Sequence, residues 1–172
     1  MTSQHKASHL RGFFIGNDMH KILVSSCLLG QPVRYDGQSK GLKNDILTRW
    51  QQEKRVVAFC PEVAGGLPTP RPPAEINAER VITTTGEDVT SEFQLGAEKA
   101  LALCKAQQIK FALLKESSPS CGRNTIYDGS HKGAKVAGMG LTAEKLVKAG
   151  MQVFSEEQLP ELICALAIAE KN

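Results

Sequence analysis

A chain of 172 residues, 41% hydrophobic and 23% charged, has the composition of an ordinary globular protein and the length of one domain. No apolar run approaches the roughly 20 residues of a membrane helix. The formal charge of +3 comes without a Lys/Arg block or basic-aromatic stripe, which disfavours a nucleic-acid partner, and five cysteines in a chain this long are not a small disulfide framework.

Residues 1–20, "MTSQHKASHLRGFFIGNDMH", read as a loose N-terminal extension. Their apolar part, Phe13-Phe14-Ile15, is too short for the core of a secretory leader, and the expected location is the cytoplasm. Residues 21–172 read as a single α/β domain. "KILVSSC" (21–27), "RVVAFCPE" (55–62), "IKFALLKE" (109–116) and "MQVFS" (151–155) are predicted strands, apolar along their length as buried parallel strands are. Between the first two, Leu42–Gln52 reads as a helix. The proline-dense "GGLPTPRPPAEI" (65–76) reads as a semi-rigid loop without regular structure. Thr90 caps a predicted helix running to about Gln108, with Phe93, Ala97, Leu101 and Cys104 at helical spacing.

"IYDGSHKGAKVAGMG" (126–140) holds four glycines and reads as a mobile lid, and its Gly-x-Gly is too short for a dinucleotide site. Thr142 is the predicted N-cap of the next helix, with Leu141 and Leu146 as a hydrophobic staple and Gly150 at C′. Ser155 and Gln158 form a capping box for a last helix whose first turn takes Pro160. The sum is a three-layer, Rossmann-like α/β domain with a mainly parallel sheet.

Cys27 and Cys60 end the first two strands, and Cys121 lies just beyond the third. In a parallel sheet all three fall at the carboxyl edge, where such folds bind ligands. Cys121 stands out further, because "KESSPSCGRNT" offers a thiol no apolar neighbours to pack on. Cys104 and Cys164 sit among apolar helix residues and are expected to be buried. The long separations match no local zinc or ferredoxin pattern. On residues alone the three thiols hold an iron–sulfur cluster, a zinc ion with His131 as the available histidine, or nothing. A cubane on three thiolates leaves one iron open.

Other conspicuous residues carry two readings each. Glu62 is an acid favoured at a helix N-terminus, or a group acting beside Cys60. Arg34 and Tyr35 form a turn before Asp36-Gly37, or touch a ligand. Glu75 braces the proline loop, or binds a substrate edge. Lys40 and Lys43 are solvated, or meet a phosphate.

Together "ILVSSCLLGQPVRYDG", "FCPEVAGGLPTPRPPAEI", "LLKESSPSCG", "IYDG" and "GLTAEKLVKAGMQVFSEEQL" resemble the thiouracil desulfurase (desulfidase) family, in collinear order from Lys21 to Leu159. The resemblance implies an α/β enzyme with a 4Fe–4S cluster on Cys27, Cys60 and Cys121 and one open iron. It implies removal of sulfur from a thiolated pyrimidine base, nucleoside or nucleotide, without net redox change. It also implies a glutamate and a serine beside the cluster, which map to Glu62 and to Ser118, with Ser120 as the fallback. Two readings compete: a zinc- or cluster-stabilised binding module, and a thiol redox sensor without turnover. The sequence is silent on the oligomeric state.

Overall fold

The computed structural model describes residues 19–171, so nearly all of the predicted N-terminal extension lies outside the described residues. In chain order the elements are β1 (Ile22–Ser25), α1 (Asp45–Gln52), β2 (Val56–Phe59), α2 (Pro61–Ala64), β3 (Ala74–Asn77), β4 (Arg80–Thr83), α3 (Thr90–Ala106), β5 (Phe111–Leu114), β6 (Thr125–Tyr127), β7 (Lys135–Ala137), α4 (Leu141–Lys148), β8 (Gln152–Ser155) and α5 (Leu159–Ala169).

The four apolar runs form one sheet in the order β2-β1-β5-β8, with every pairing parallel. Leu23 stands opposite Val57 on one side and Ala112 on the other, which fixes the register through the centre. The strands are buried on both faces because each face has its own helix layer. Ile22, Val24, Phe111 and Leu113 point to α1 and α5, meeting Leu47, Trp50, Leu162 and Leu166. Leu23, Ala112 and Leu114 point the other way, to Ala100 and Cys104 of α3 and Ala143 and Leu146 of α4. A slip of one residue would exchange the two sets, so the period-two pattern specifies this pairing. Each fully buried Leu or Ile contributes roughly 1.5–3 kcal/mol of transfer free energy. The Rossmann-like reading therefore holds.

Helix ends differ in detail from the sequence expectations. Asn44 caps α1 by accepting the Ile46 amide at 2.9 Å, so the helix starts three residues inside the predicted range. Thr90 does not cap α3; its hydroxyl accepts the Val81 amide at 2.9 Å and ties β4 to the helix start. Thr142 does not cap α4 either, being wholly buried with its hydroxyl 3.0 Å from Ser120 Oγ. Gly150 does occupy C′, at φ +85°. Gln158 accepts the Ser155 amide at 3.3 Å, and a short 3₁₀ turn leads into α5 with Pro160 in its first turn.

Two antiparallel hairpins lie outside the main sheet, and neither was expected. β3 pairs with β4, and its first residues are the end of the proline-dense run; there the prolines stop at Pro73 and amide donors resume. β6 pairs with β7 within the glycine-rich segment read as a lid, and 130–132 form part of the connection. Cys164 is exposed, contrary to expectation, whereas Cys104 is 1% exposed on the buried face of α3.

The short helix α2, which follows Cys60, is seated directly on α3. A Cβ at Gly96 would stand 2.0 Å from the Pro61 carbonyl oxygen, so only glycine permits this crossing. Gly96→Ala should destabilise the fold by ~1–3 kcal/mol through overpacking. A thermal melt checks this; an unchanged midpoint would show that the contact between α2 and α3 is not tight.

Candidate functional site

The sheet topology sends the carboxyl ends of β2, β1 and β5 to one edge, and the strand order reverses beside β1. A cavity of about 750 Å³ opens there, with Cys27, Cys60 and Cys121 all in its wall. Cys27 lies in a 3₁₀ turn directly after β1, Cys60 is the residue before α2, and Cys121 sits in the loop after β5. Cys104 and Cys164 do not line it.

The three thiols sense one another electrostatically. Burial, with Cys60 next, pushes the Cys27 thiol up to about 11, against opposition from Lys115 and Arg34. Burial also raises Cys60, although the amides of Val63 and Glu62 at the start of α2 favour its thiolate. Cys121 is pushed up furthest, first by burial; a hydrogen bond from Ser25 opposes the rise, while Cys27, Glu62 and Cys60 add to it. All three shifts run upward, away from the depressed thiol that a redox sensor uses.

The donor chemistry bears on which inorganic group the residues fit. A zinc ion at a Zn–S distance of ~2.3 Å draws its thiolates within about 4 Å of one another. Among the described residues no three His, Cys, Asp or Glu side chains are grouped closely enough for one ion. A cubane takes each thiolate on a separate iron and so accepts wider-set donors. Three soft thiols at one cavity, without a fourth cysteine beside them, fit a 4Fe–4S group with one iron lacking a protein thiolate.

The loop that carries Cys121 is organised around Glu116. This side chain is buried, and its Oε1 accepts the amides of Ser117, Arg123, Asn124 and Thr125 at 3.0–3.1 Å. Asn124 Nδ2 donates to Oε2 at 2.7 Å. Burial alone would raise this carboxyl, but the amides of Thr125, Asn124 and Ser117 and the Asn124 side chain outweigh it and hold it at about 2. Ser117 takes a left-handed conformation, φ +61°, a strained state for a non-glycine residue that the Glu116 contacts help to hold. Gly122 is required by the loop itself, since its Cβ would lie 2.5 Å from Thr125 O.

Ser118 Oγ accepts the amides of Ser120 and Cys121, both at 3.1 Å, and donates to Glu62 Oε1 at 3.4 Å. The other Glu62 oxygen, Oε2, takes Arg71 Nε at 2.9 Å and Nη2 at 2.6 Å. Glu62, Ser118 and Arg71 all line the cavity with the thiols.

The remaining predicted residues divide. Arg34 and Tyr35 are in the wall, Arg34 paired to Asp36 at 3.3 Å and stacked 5.6 Å from the Tyr35 ring centroid. Glu75 also reaches the wall, yet its Oε2 accepts the amides of Gly129 and His131, both at 3.0 Å, so it braces the connection between β6 and β7. Ser120, expected as the fallback serine, is wholly buried against Thr142 and is not in the wall. Lys40 lines the cavity and Lys43 does not. Sequence reasoning missed Arg71 and Glu116. Arg71 had a signal, a cation fixed between Pro70 and Pro72 nine residues after an acid. Glu116 had none, being indistinguishable from the end of its strand.

Residues 22–158 match the family model described as 2-thiouracil desulfurase. The chain is 41% identical over 152 residues to the uncharacterized protein YbbK of Bacillus subtilis (strain 168), covering 83% of this chain and 99% of that one. Among solved structures, a 4Fe–4S-dependent thiouracil desulfidase, TudS, superposes with a TM-score of 0.86 at 62% identity, over 87% of this chain and 99% of that one.

A carboxylate held at about 2, against an ordinary 4.5, stabilises the folded state above pH 4.5 and loses that contribution as pH falls toward 2. Glu116→Gln keeps the shape but removes the charge from four amides, and should cost ~1–3 kcal/mol at neutral pH. Denaturant unfolding at pH 7 and pH 3 checks both points: the gap between the two proteins should narrow at the lower pH. An equal gap at both would show that the charge is not what organises the loop.

Proposed function

The chain belongs to the 2-thiouracil desulfurase family, and on that premise we propose that it desulfurates a thiolated pyrimidine hydrolytically. Water replaces the ring sulfur, C=S + H₂O giving C=O + H₂S, with no electron gained or lost. The observation that carries this reading is the meeting of Cys27, Cys60 and Cys121 with Glu62 and Ser118 on one cavity wall.

In this reading Cys27, Cys60 and Cys121 are the residues that would hold a 4Fe–4S cluster. When bound, the cluster supplies an open, Lewis-acidic iron suited to a soft thiocarbonyl sulfur, leaving the ring carbon short of electrons. The protein's own residues manage water and protons. Glu62 Oε1 takes one proton from water as the water oxygen adds to the ring carbon and gives it to the departing sulfur. As C=O forms, the remaining hydroxyl proton passes to the same carboxylate and from there to the hydrosulfide, giving H₂S. Ser118 has its lone pairs occupied by two amides, so its hydroxyl proton is the part left to orient water or meet developing charge. Its contact with Glu62 is long for an O–H···O bond, which leaves that proton readily redirected.

The wall above these groups suits a flat ring. Tyr35 and Tyr127 line it together with Lys40, and each ring carries a cation over one face, Arg34 at 5.6 Å from the Tyr35 centroid and Lys135 at 5.4 Å from that of Tyr127. The cavity has room for a nucleoside or nucleotide as well as a free base. Arg34 and Tyr35 contact the substrate in this reading, and Glu75 acts at one remove by holding the hairpin wall.

Anaerobic reconstitution followed by sulfide release from a panel of thiobases, nucleosides and nucleotides tests the activity. Release of sulfide with equimolar oxo base is expected; no release from any member would contradict it. Cys27→Ser, Cys60→Ser and Cys121→Ser should each lose iron and visible absorbance, whereas Cys104→Ser and Cys164→Ser keep both. With clusters intact, Glu62→Ala should lower kcat ~10²–10⁴-fold and Ser118→Ala ~10–10³-fold. Near-normal turnover in either variant removes that residue from the mechanism.

A further inference from the structure

We infer that Arg71 is a positioning residue for desulfuration, which selects the Glu62 oxygen that handles the proton. The inference rests on the role given to Glu62 above. The Arg71 side chain is 5% exposed, and its guanidinium donors are spent on five acceptor contacts. Nε and Nη2 both go to Glu62 Oε2, Nη2 also to Val33 O at 3.1 Å, and Nη1 to Pro68 O at 3.1 Å and Thr69 Oγ1 at 3.2 Å. Its backbone amide donates to Tyr35 O at 2.8 Å.

The pattern on Glu62 is asymmetric. A fork-to-fork pair would give each carboxylate oxygen one N–H and leave the two equivalent. Here both N–H groups converge on Oε2, so that oxygen is fully occupied and Oε1 is turned to Ser118. The carboxylate plane is thereby fixed, and one of its two oxygens is reserved for water. Arg71 is itself held rigid by Pro70 and Pro72 and by carbonyls from two loops, so Glu62 has a fixed partner. Lysine offers one point charge on a flexible stem and cannot reproduce two N–H bonds in a set plane.

The test uses anaerobically reconstituted protein with 2-thiouracil as the probe. It compares wild type, Arg71→Met, Arg71→Lys, Glu62→Gln and the two double variants, with iron and sulfide content measured in each. Arg71→Met should lower kcat about 100-fold with KM within about 3-fold and cluster content unchanged, the scale of a misplaced catalytic group. Arg71→Lys, which keeps the charge and guards against a folding failure, should recover only part of kcat. In the Glu62→Gln background neither Arg71 change should cost anything further, because both act through one carboxylate. A loss of equal size in both backgrounds, a loss that follows cluster content, or an unchanged kcat in the Arg71 variants would overturn the inference alone. Full activity in Glu62→Gln would overturn the role of Glu62, and this inference with it.

Discussion

Parallel pairing of β1 with both β2 and β5 is the constraint on which the site depends. A parallel ladder delivers every strand's carboxyl end to the same edge, so residues far apart in sequence arrive together without local motif spacing. Reversing one four-residue strand would carry its thiol to the opposite edge, about 13 Å away at the rise of an extended chain. The long separations among Cys27, Cys60 and Cys121 follow from this: each interval contains a complete crossover. The helix layers that bury both faces of the sheet therefore also set the distances within the site.

Above the sheet edge, one buried and one half-buried carboxylate turn loops into fixed walls. Glu116 collects four amides and so holds the loop bearing Ser118 and Cys121. Glu62 is held by Arg71, which itself gathers carbonyls from the loop after β1 and from the proline segment. Buried charges are costly, and pairing or hydrogen bonding them well does little more than offset the desolvation. Their effect lies in geometry: each fixes a segment that has no ladder of its own. One supports the loop that carries Ser118 and Cys121 and the other fixes the carboxylate beside that loop, which divides the work between two independent anchors.

The sheet was legible in the sequence because its four strands are continuous apolar runs between helices, and the matched motifs resemble those of one family. The convergence of three cysteines followed from strand direction alone. Other features depend on partners that a linear reading does not supply. Thr142 has the residue type of an N-cap, but Ser120 across the loop claims its hydroxyl and buries both. Ser118 and Ser120 differ by two positions and face opposite ways, one toward Glu62 and the other toward α4. The strands of the two small hairpins are only three or four residues long and are flanked by proline or glycine, so turn chemistry masks them. Cys164 lies on α5, "LPELICALAIA", whose apolar residues surround the helix and give no phase from which to tell the exposed side.

The central claim is that three thiolates at this edge hold a cubane and leave one iron without a protein thiolate. Mössbauer spectroscopy of anaerobically reconstituted protein, enriched in the iron isotope, tests it most directly. The account predicts four irons per chain that divide three to one between thiolate-ligated and differently ligated sites. Four equivalent irons, or a protein that takes up a single zinc and no iron, would contradict it.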